Sequence, residues 1–175
     1  YSGVIDDIGY IKLVSFTPNA GKEVRDAVLK FKNQGVQKMV LDLRNNGGGL
    51  LNEAINIVNV FIPRGELIVE TRGKYPEDNR SFKTMNSSVD TETPMVVLIN
   101  GNSASASEIV AGALQDLDRA VLVGQNSFGK GLVQTTKGLS YNTSMKITTS
   151  KYYIPSGRLI QRLDYSNKVE GKALA

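Results

Sequence analysis

The chain has 175 residues, 41% of them apolar, and a formal net charge of +4. That length suits one globular domain, and the positive charges are spread along the chain, which is not typical of a nucleic-acid-binding surface. The absence of histidine and cysteine excludes disulfides, histidine- or cysteine-bound metals and a Ser-His-Asp triad within this chain. Any nucleophile would therefore need a lysine, an acid, a tyrosine or an N-terminal amine as its base.

Helical and extended patterns alternate along the sequence. Apolar residues recur every three or four positions in the predicted helices, and the predicted strands are short runs rich in β-branched residues. The polar composition of residues 72–94 predicts a long loop that can include one short strand. In chain order, the predicted elements are strand 8–16, helix 20–31, strand 38–44, helix 54–62, strand 66–71, strand 95–99, helix 109–117, strand 120–124 and a β-rich segment 132–154 with its hairpin tip at 141–143.

This order predicts an α/β fold, a mostly parallel sheet flanked by helices, with a β-rich C-terminal part. The longest apolar run, MVVLI at 95–99, has the length of one buried strand, so we expect no integral membrane segment. Ligands of such sheets bind at the carboxyl ends of the strands. Both NNGGG at 45–49 and SASAS at 103–107 directly follow predicted strands, so we expect the two loops to meet.

The first candidate site residue is Ser105, in the middle of SASAS. Ser105 and Glu108 match the S-x-x-E capping box, so one interpretation is an ordinary helix start. The other interpretation is a nucleophile, because a helix N-terminus offers free N–H groups and the positive end of its dipole to an oxyanion. Ala104 and Ala106 leave room for a peptide beside the hydroxyl. The pattern alone leaves both interpretations open.

The second candidate is Lys130, in GQNSFGKG at 124–131. This segment matches most of a P-loop, but Gly131 stands where a magnesium-binding serine or threonine is required, and a strand rather than a helix follows. Nucleotide binding is therefore disfavoured. Lys130 could act as a base if burial among apolar neighbours lowers its pKa by about three units from about 10.4. Gln134, on the same face of the predicted strand, could orient the neutral amine, and a surface lysine in a turn is the alternative.

The third candidate is the run Gly47, Gly48 and Gly49. These glycines can present backbone amides to an oxyanion without obstruction by side chains. A plain strand-to-helix turn explains the same glycines equally well. A serine, a lysine and an amide-rich loop, in a chain without histidine, nevertheless form a coherent set for nucleophilic catalysis.

Four segments, in this order, closely resemble the carboxyl-terminal processing (tail-specific) serine proteases. The resemblance covers residues 8–163 and implies a crotonase- and Clp protease-like core. It also implies an endopeptidase that uses a Ser-Lys dyad, without a metal or organic cofactor, on apolar C-terminal tails or unfolded substrates. A periplasmic or cell-envelope location follows from the same resemblance. The matching segments are DLRNNGGGL at 42–50, NSASASEIVAGALQD at 102–116, GQNSFGKGLVQ at 124–134 and SKYYIPSGRLIQ at 150–161.

Carried over by position, the resemblance implies that Ser105 is the nucleophile and Lys130 the general base. Gln134 corresponds to a glutamine that helps to position the lysine. The implied oxyanion hole consists of the backbone amides of Ala106 and of Gly48 or Gly49. The resemblance implies structural roles for three further residues, Asp116, Ser103 and Ser107.

One departure from the family concerns domain organisation. Family members usually carry a PDZ domain that recognises the substrate's C-terminus, and this chain begins at about the point where that domain would end. We therefore expect residues 1–175 to be a single catalytic domain without the PDZ domain, with 164–175 as a frayed tail. The expected partners are protein or peptide substrates and the PDZ domain of the parent chain, not nucleic acid. Two rival functions on the same fold are an inactive peptide-binding scaffold and a crotonase-like acyl-CoA enzyme.

Overall fold

The computed structural model describes residues 1–163, and the tail expected at 164–175 lies outside the described residues. The described part contains nine strands, three α-helices and one short 3-10 helix. In chain order these are β1 (Ser2–Ile5), β2 (Ile8–Lys12), α1 (Ala20–Asn33), β3 (Lys38–Asp42), α2 (Leu51–Phe61), β4 (Leu67–Gly73), the 3-10 helix (Pro76–Asp78), β5 (Arg80–Lys83), β6 (Met95–Ile99), α3 (Ala106–Asp116), β7 (Val121–Gly124), β8 (Leu132–Gly138) and β9 (Ser144–Tyr153).

The first sheet has five strands in the order β1-β2-β3-β6-β7. Every neighbouring pair is parallel except β1 and β2, so the predicted mostly parallel sheet is confirmed. β1 is absent from the predicted elements because it is short and contains a glycine. It forms by pairing with β2 through a turn at Asp6, whose φ is 55°.

The three helices and one face of this sheet enclose the main core. α1 packs directly on β2, where a Cβ at Gly9 would lie 2.5 Å from Cδ2 of Phe31. Leu41, Val97 and Ile109 are among the fully buried side chains that join the sheet to the helices. Burying a side chain of this kind contributes about 1.5–3 kcal/mol. Within residues 1–163, no helix combines the length and the apolar character that a membrane crossing requires.

The other four strands form a separate antiparallel sheet in the order β5-β4-β9-β8. β4, predicted at 66–71, therefore leaves the parallel layer and pairs with β9, far later in the chain. β8 and β9 form the β-rich C-terminal part. The tip of their hairpin has Tyr141 and Asn142 at φ 58° and 57°, in the left-handed region that a tight turn requires.

The parallel register positions the candidate site. β3 and β6 are neighbours, with Asp42 opposite Leu98, so the loops that follow them emerge side by side at the carboxyl edge of the sheet. α2 and α3 begin directly after these two loops. The predicted meeting of the two loops is confirmed by a hydrogen bond from Ala104 N–H to Asn46 O, 3.0 Å long.

Candidate active site

Two loops form the centre of the site: the glycine loop, residues 45–49, and the serine loop, residues 100–105. The backbone carbonyl of Asn46 joins them, because it accepts both Ala104 N–H at 3.0 Å and the hydroxyl of Ser107 at 2.9 Å. Asn46 is fully buried, so these bonds are shielded from water. The glycine loop is thereby fixed against the start of α3.

The three serines of SASAS have different surroundings. Ser103 and Ser107 are fully buried, and their hydroxyls donate to the backbone carbonyls of Leu43 at 2.8 Å and Asn46 at 2.9 Å. These contacts agree with the structural roles expected for both. Ser105 is only partly buried and stands immediately before the N-terminus of α3, at the positive end of the helix dipole.

Ser105 has a strained backbone. Its φ is 57° and its ψ is −114°, a combination that residues with a side chain rarely adopt and that costs about 1–3 kcal/mol. The predicted capping box with Glu108 is present as well. A cap alone needs no such strain, since ordinary cap residues have extended backbones. Strain of this kind clusters at functional sites, which favours the nucleophile interpretation.

The carboxylate of Glu108 connects the start of α3 to the segment that precedes β8. Its Oε2 accepts the N–H groups of Ser105 and Lys130, each at 2.8 Å. Its Oε1 accepts the hydroxyl of Ser127 at 2.7 Å and the N–H of Gly129 at 2.6 Å. Glu108 is only 6% exposed, and these four donors satisfy a carboxylate that would otherwise be costly to bury.

These bonds bring the candidate nucleophile and the candidate base together. Because Ser105 N and Lys130 N share one acceptor atom, the two nitrogens lie within twice 2.8 Å of each other. A lysine side chain is longer than that separation. The backbones of the two candidates are therefore held within a lysine side chain's length of each other.

Lys130 itself is exposed, so the expected burial among apolar residues is wrong for this structure. The glycines on either side of Lys130 do permit another backbone to approach closely, and the backbone that does so is that of residues 161–162. A Cβ at Gly131 would lie 2.2 Å from Gln161 N, and one at Gly129 would lie 2.4 Å from Arg162 Cβ. The backbone of Lys130 is thus fixed while its side chain extends toward solvent.

Gln134 lies on β8 and is exposed. Within residues 1–163 its side chain forms no hydrogen bond, so the structure does not bring it onto the amine of Lys130. Its role in orienting that amine stays a prediction. β8 begins at Leu132, directly after the lysine segment, which agrees with the rejection of a P-loop, where a helix would follow.

Gly48 lies against Ser105. At its φ of 99°, a Cβ would lie 2.9 Å from Ser105 Cβ and 3.0 Å from Ala106 N, so only glycine keeps this space open. The N–H of Gly48 already donates to Asn46 Oδ1 at 2.9 Å. Among residues 1–163, the N–H groups of Gly49 and Ala106 have no acceptor.

A buried carboxylate beside the glycine loop, that of Asp42, was not identified from the sequence. Asp42 is fully buried and accepts hydrogen bonds from Tyr10 Oη at 2.5 Å, Lys12 Nζ at 3.1 Å and Arg44 Nη2 at 2.7 Å. Burial raises the pKa of Asp42, but the hydrogen bonds from Arg44 and Tyr10 outweigh it and hold the pKa well below its ordinary value. No local pattern in the sequence predicts these contacts, because Lys12 comes opposite Asp42 only through the parallel pairing of β2 and β3.

Asp116, at the end of α3, has the structural role expected for it. Its carboxylate accepts Ser156 N–H at 2.9 Å and Arg158 Nη2 at 2.5 Å, and so fixes the turn after β9. Burial raises the pKa of Asp116, but the hydrogen bonds from Ser156 and Arg158 lower it by more, to below its ordinary value.

Asp116→Asn is expected to destabilise the fold at neutral pH and to weaken its acid sensitivity. Since the folded pKa is depressed, the stabilisation is complete above the unfolded value of about 3.9 and is lost as the pH falls toward the folded pKa. Loss of charge-assisted hydrogen bonds predicts a fall of about 1.5–3 kcal/mol in the free energy of unfolding at pH 7. Urea titrations between pH 7 and pH 2.5 measure this, and parallel curves for variant and wild type would contradict it.

Fold and site together define an α/β protein with a strained serine at a helix N-terminus, an arrangement consistent with the expected crotonase-like core. The chain belongs to peptidase family S41, whose model matches residues 7–169. This agrees with the resemblance found in the four sequence segments.

Several named relatives share this domain. The carboxy-terminal-processing protease of Bartonella bacilliformis is 46% identical over 159 residues, which cover 89% of this chain and 36% of the relative. A probable CtpA-like serine protease of Staphylococcus aureus is 41% identical over 156 residues, covering 87% of this chain and 31% of the relative. The solved structure of the photosystem II D1 C-terminal processing protease has a TM-score of 0.82 and 37% identity, covering 88% of this chain and 39% of that one. The chain thus spans about a third of the length of the curated relatives it matches.

Proposed function

We propose that this chain is the catalytic domain of a serine endopeptidase, with Ser105 as nucleophile and Lys130 as general base. One observation carries the proposal: Oε2 of Glu108 holds the backbones of both residues side by side, 2.8 Å from each nitrogen. The chain has no histidine, so a lysine is a chemically reasonable base for the serine. Family membership and the names of the relatives support the same activity.

The reaction begins with the neutral amine of Lys130, which takes the proton from Ser105 Oγ. The oxygen attacks the scissile carbonyl carbon and a tetrahedral oxyanion forms. The lysinium then gives its proton to the departing amide nitrogen as the C–N bond breaks, leaving an acyl ester on Ser105. Water, deprotonated by Lys130, hydrolyses this ester and restores both residues.

The oxyanion is stabilised by backbone N–H groups in this proposal. Ala106 N–H and Gly49 N–H are the donors, because neither has an acceptor among residues 1–163. Gly48 contributes by having no side chain next to Ser105. Donors of this kind are fixed before the reaction, so they stabilise the developing charge without reorganisation.

Exclusion of water from Lys130 requires a cover that residues 1–163 do not provide. We propose that the bound peptide supplies it. β8 begins two residues after Lys130 and is an edge strand among the described residues, so an extended peptide can add to its open side. Apolar side chains of that peptide would then cover the amine, which suits apolar tails or unfolded segments as substrates.

Two further parts of the proposal rest on the resemblance and the relatives alone. The names of the relatives refer to carboxy-terminal processing, so we propose cleavage near C-terminal tails. The resemblance implies a periplasmic or cell-envelope location, which is proposed on that ground. Recognition of those tails by a PDZ domain of the parent chain stays a prediction.

The test of the proposal combines two measurements on the wild-type chain. It is incubated with an unfolded protein, and the fragments are identified by mass spectrometry. In parallel it is treated with a fluorophosphonate probe, and the modified peptide is mapped. We expect fragments and a probe adduct on Ser105. Binding of the unfolded protein without fragments or adduct, by a chain that circular dichroism shows to be folded, would instead identify an inactive scaffold.

A further inference from the structure

We infer that Glu108 is the positioning residue that sets the separation between nucleophile and base, an inference that rests on the proposed function. A capping box accounts for only one of its hydrogen bonds, the one from Ser105 N–H. The other three donors lie 19, 21 and 22 residues further along the chain, in the segment that carries Lys130. A residue that only starts a helix has no need of these contacts.

The two partners of Glu108 differ in rigidity. Glu108 lies in the first turn of α3, where the neighbouring residues Ser107, Ile109 and Val110 are all buried in the core. The segment 125–131 has no helix or strand of its own and depends on contacts to other elements. The carboxylate therefore transfers the position of the rigid helix to the backbone of Lys130, while its other bond fixes Ser105.

Negative charge suits this arrangement. All four groups that face the carboxylate are donors, three backbone N–H groups and one hydroxyl, so the site requires an acceptor at both oxygens. An amide of the same shape has only one acceptor oxygen. With the NH2 group on the Oε2 side, the bonds from Ser105 and Lys130 are lost. With it on the Oε1 side, the bond from Gly129 is lost, while the Ser127 hydroxyl can turn and accept from the NH2 group.

Glu108→Gln is the decisive substitution. A displacement of the lysine or the serine by about 1 Å costs on the order of 100-fold in rate, so we expect kcat to fall about 100-fold while KM changes little. A wild-type kcat in a folded Glu108→Gln protein would overturn the inference.

Glu53→Gln is the matched control. Glu53 also lies in the first turn of a helix, α2, and its Oε2 accepts a backbone N–H from a distant residue, Gly21, at 2.7 Å. Glu53→Gln therefore makes the same change, from carboxylate to amide in the first turn of a helix, at a position away from the dyad. We expect a small loss of stability and an unchanged kcat. A fall in kcat equal to that of Glu108→Gln would show a general effect of stability and would also overturn the inference.

Hydrogen exchange gives a readout that is independent of activity. The amides of Gly129 and Lys130 have the two oxygens of the Glu108 carboxylate as their acceptors, so both should exchange slowly in the wild type. In Glu108→Gln the one that faces the new NH2 group should exchange at least tenfold faster. Fast exchange of both amides in the wild type would refute the inference whether or not the chain cleaves protein. Slow exchange in a wild type that neither cleaves nor reacts with the probe would refute the proposed function and confine Glu108 to a structural role.

Ser127→Ala keeps the test decisive if Glu108→Gln does not fold. It retains the carboxylate and removes only the hydroxyl donor, 2.7 Å from Oε1. Loss of one such bond predicts a two- to tenfold fall in kcat, roughly, with KM unchanged. An unchanged kcat in this variant, together with fast wild-type exchange at Gly129, would overturn the inference.

Discussion

Ser105→Ala and Lys130→Ala should each lower kcat for cleavage of an unfolded protein by about 10⁴-fold or more, without unfolding the chain. Members of a catalytic unit act together, so losing either one removes most of the catalysis that the pair provides. The double variant should therefore be hardly slower than either single variant. Fragment formation followed by mass spectrometry measures all three, and circular dichroism with thermal melting checks the fold.

Retained folding is expected for a physical reason. Lys130 is exposed, and truncation of such a side chain usually changes stability by less than about 0.5 kcal/mol. Ser105→Ala removes the serine of the capping box, which costs about 0.5–2 kcal/mol, a fraction of the stability of a typical domain, about 5–15 kcal/mol. Lys83→Ala is the control, because Lys83 is another exposed lysine, on β5 at the opposite edge of the same sheet, and should leave activity intact. Substantial cleavage by folded Lys130→Ala would exclude the lysine as base, and cleavage by Ser105→Ala would exclude the serine as nucleophile.

The layered core was predictable because its signals are local. Helical spacing of apolar residues and short buried strands recur in alternation, and a right-handed parallel arrangement is the common outcome of that order. The departure of β4 was not predictable in this way. Its sequence indicates a strand, but its partner β9 is distant in the chain, and a strand pattern does not specify which sheet it joins.

The site was predictable in its parts but not in its connections. Ser105 and Glu108 were recognised as a capping box from their spacing, and that box is present. The reach of the same carboxylate to Gly129 and Lys130 depends on how the chain returns past α3, which no local pattern encodes. The exposure of Lys130 escaped prediction for a related reason, since apolar neighbours in sequence need not cover a side chain in space.

Gly48→Ala is the second variant for which we expect a large effect, a fall in kcat of roughly 10²–10³-fold. The new methyl group would lie 2.7 Å from Ala104 O, 2.9 Å from Ser105 Cβ and 3.0 Å from Ala106 N. It would therefore push the glycine loop away from the serine and intrude on the space proposed for the oxyanion. The φ of 99° adds backbone strain of about 1–3 kcal/mol, which should appear as a lower melting temperature.

Gly47→Ala is the control for Gly48→Ala. It tests whether any substitution in the glycine loop lowers kcat and the melting temperature. A Cβ at Gly47 meets no heavy atom within 4 Å, so this variant should keep both its kcat and its stability. The comparison also locates the oxyanion, because a folded Gly48→Ala protein with an unchanged kcat would mean that the charge develops elsewhere. A fall in kcat with nearly constant KM, by contrast, is expected if the methyl group disturbs a contact made mainly in the transition state, which is the role proposed for the amides of Gly49 and Ala106.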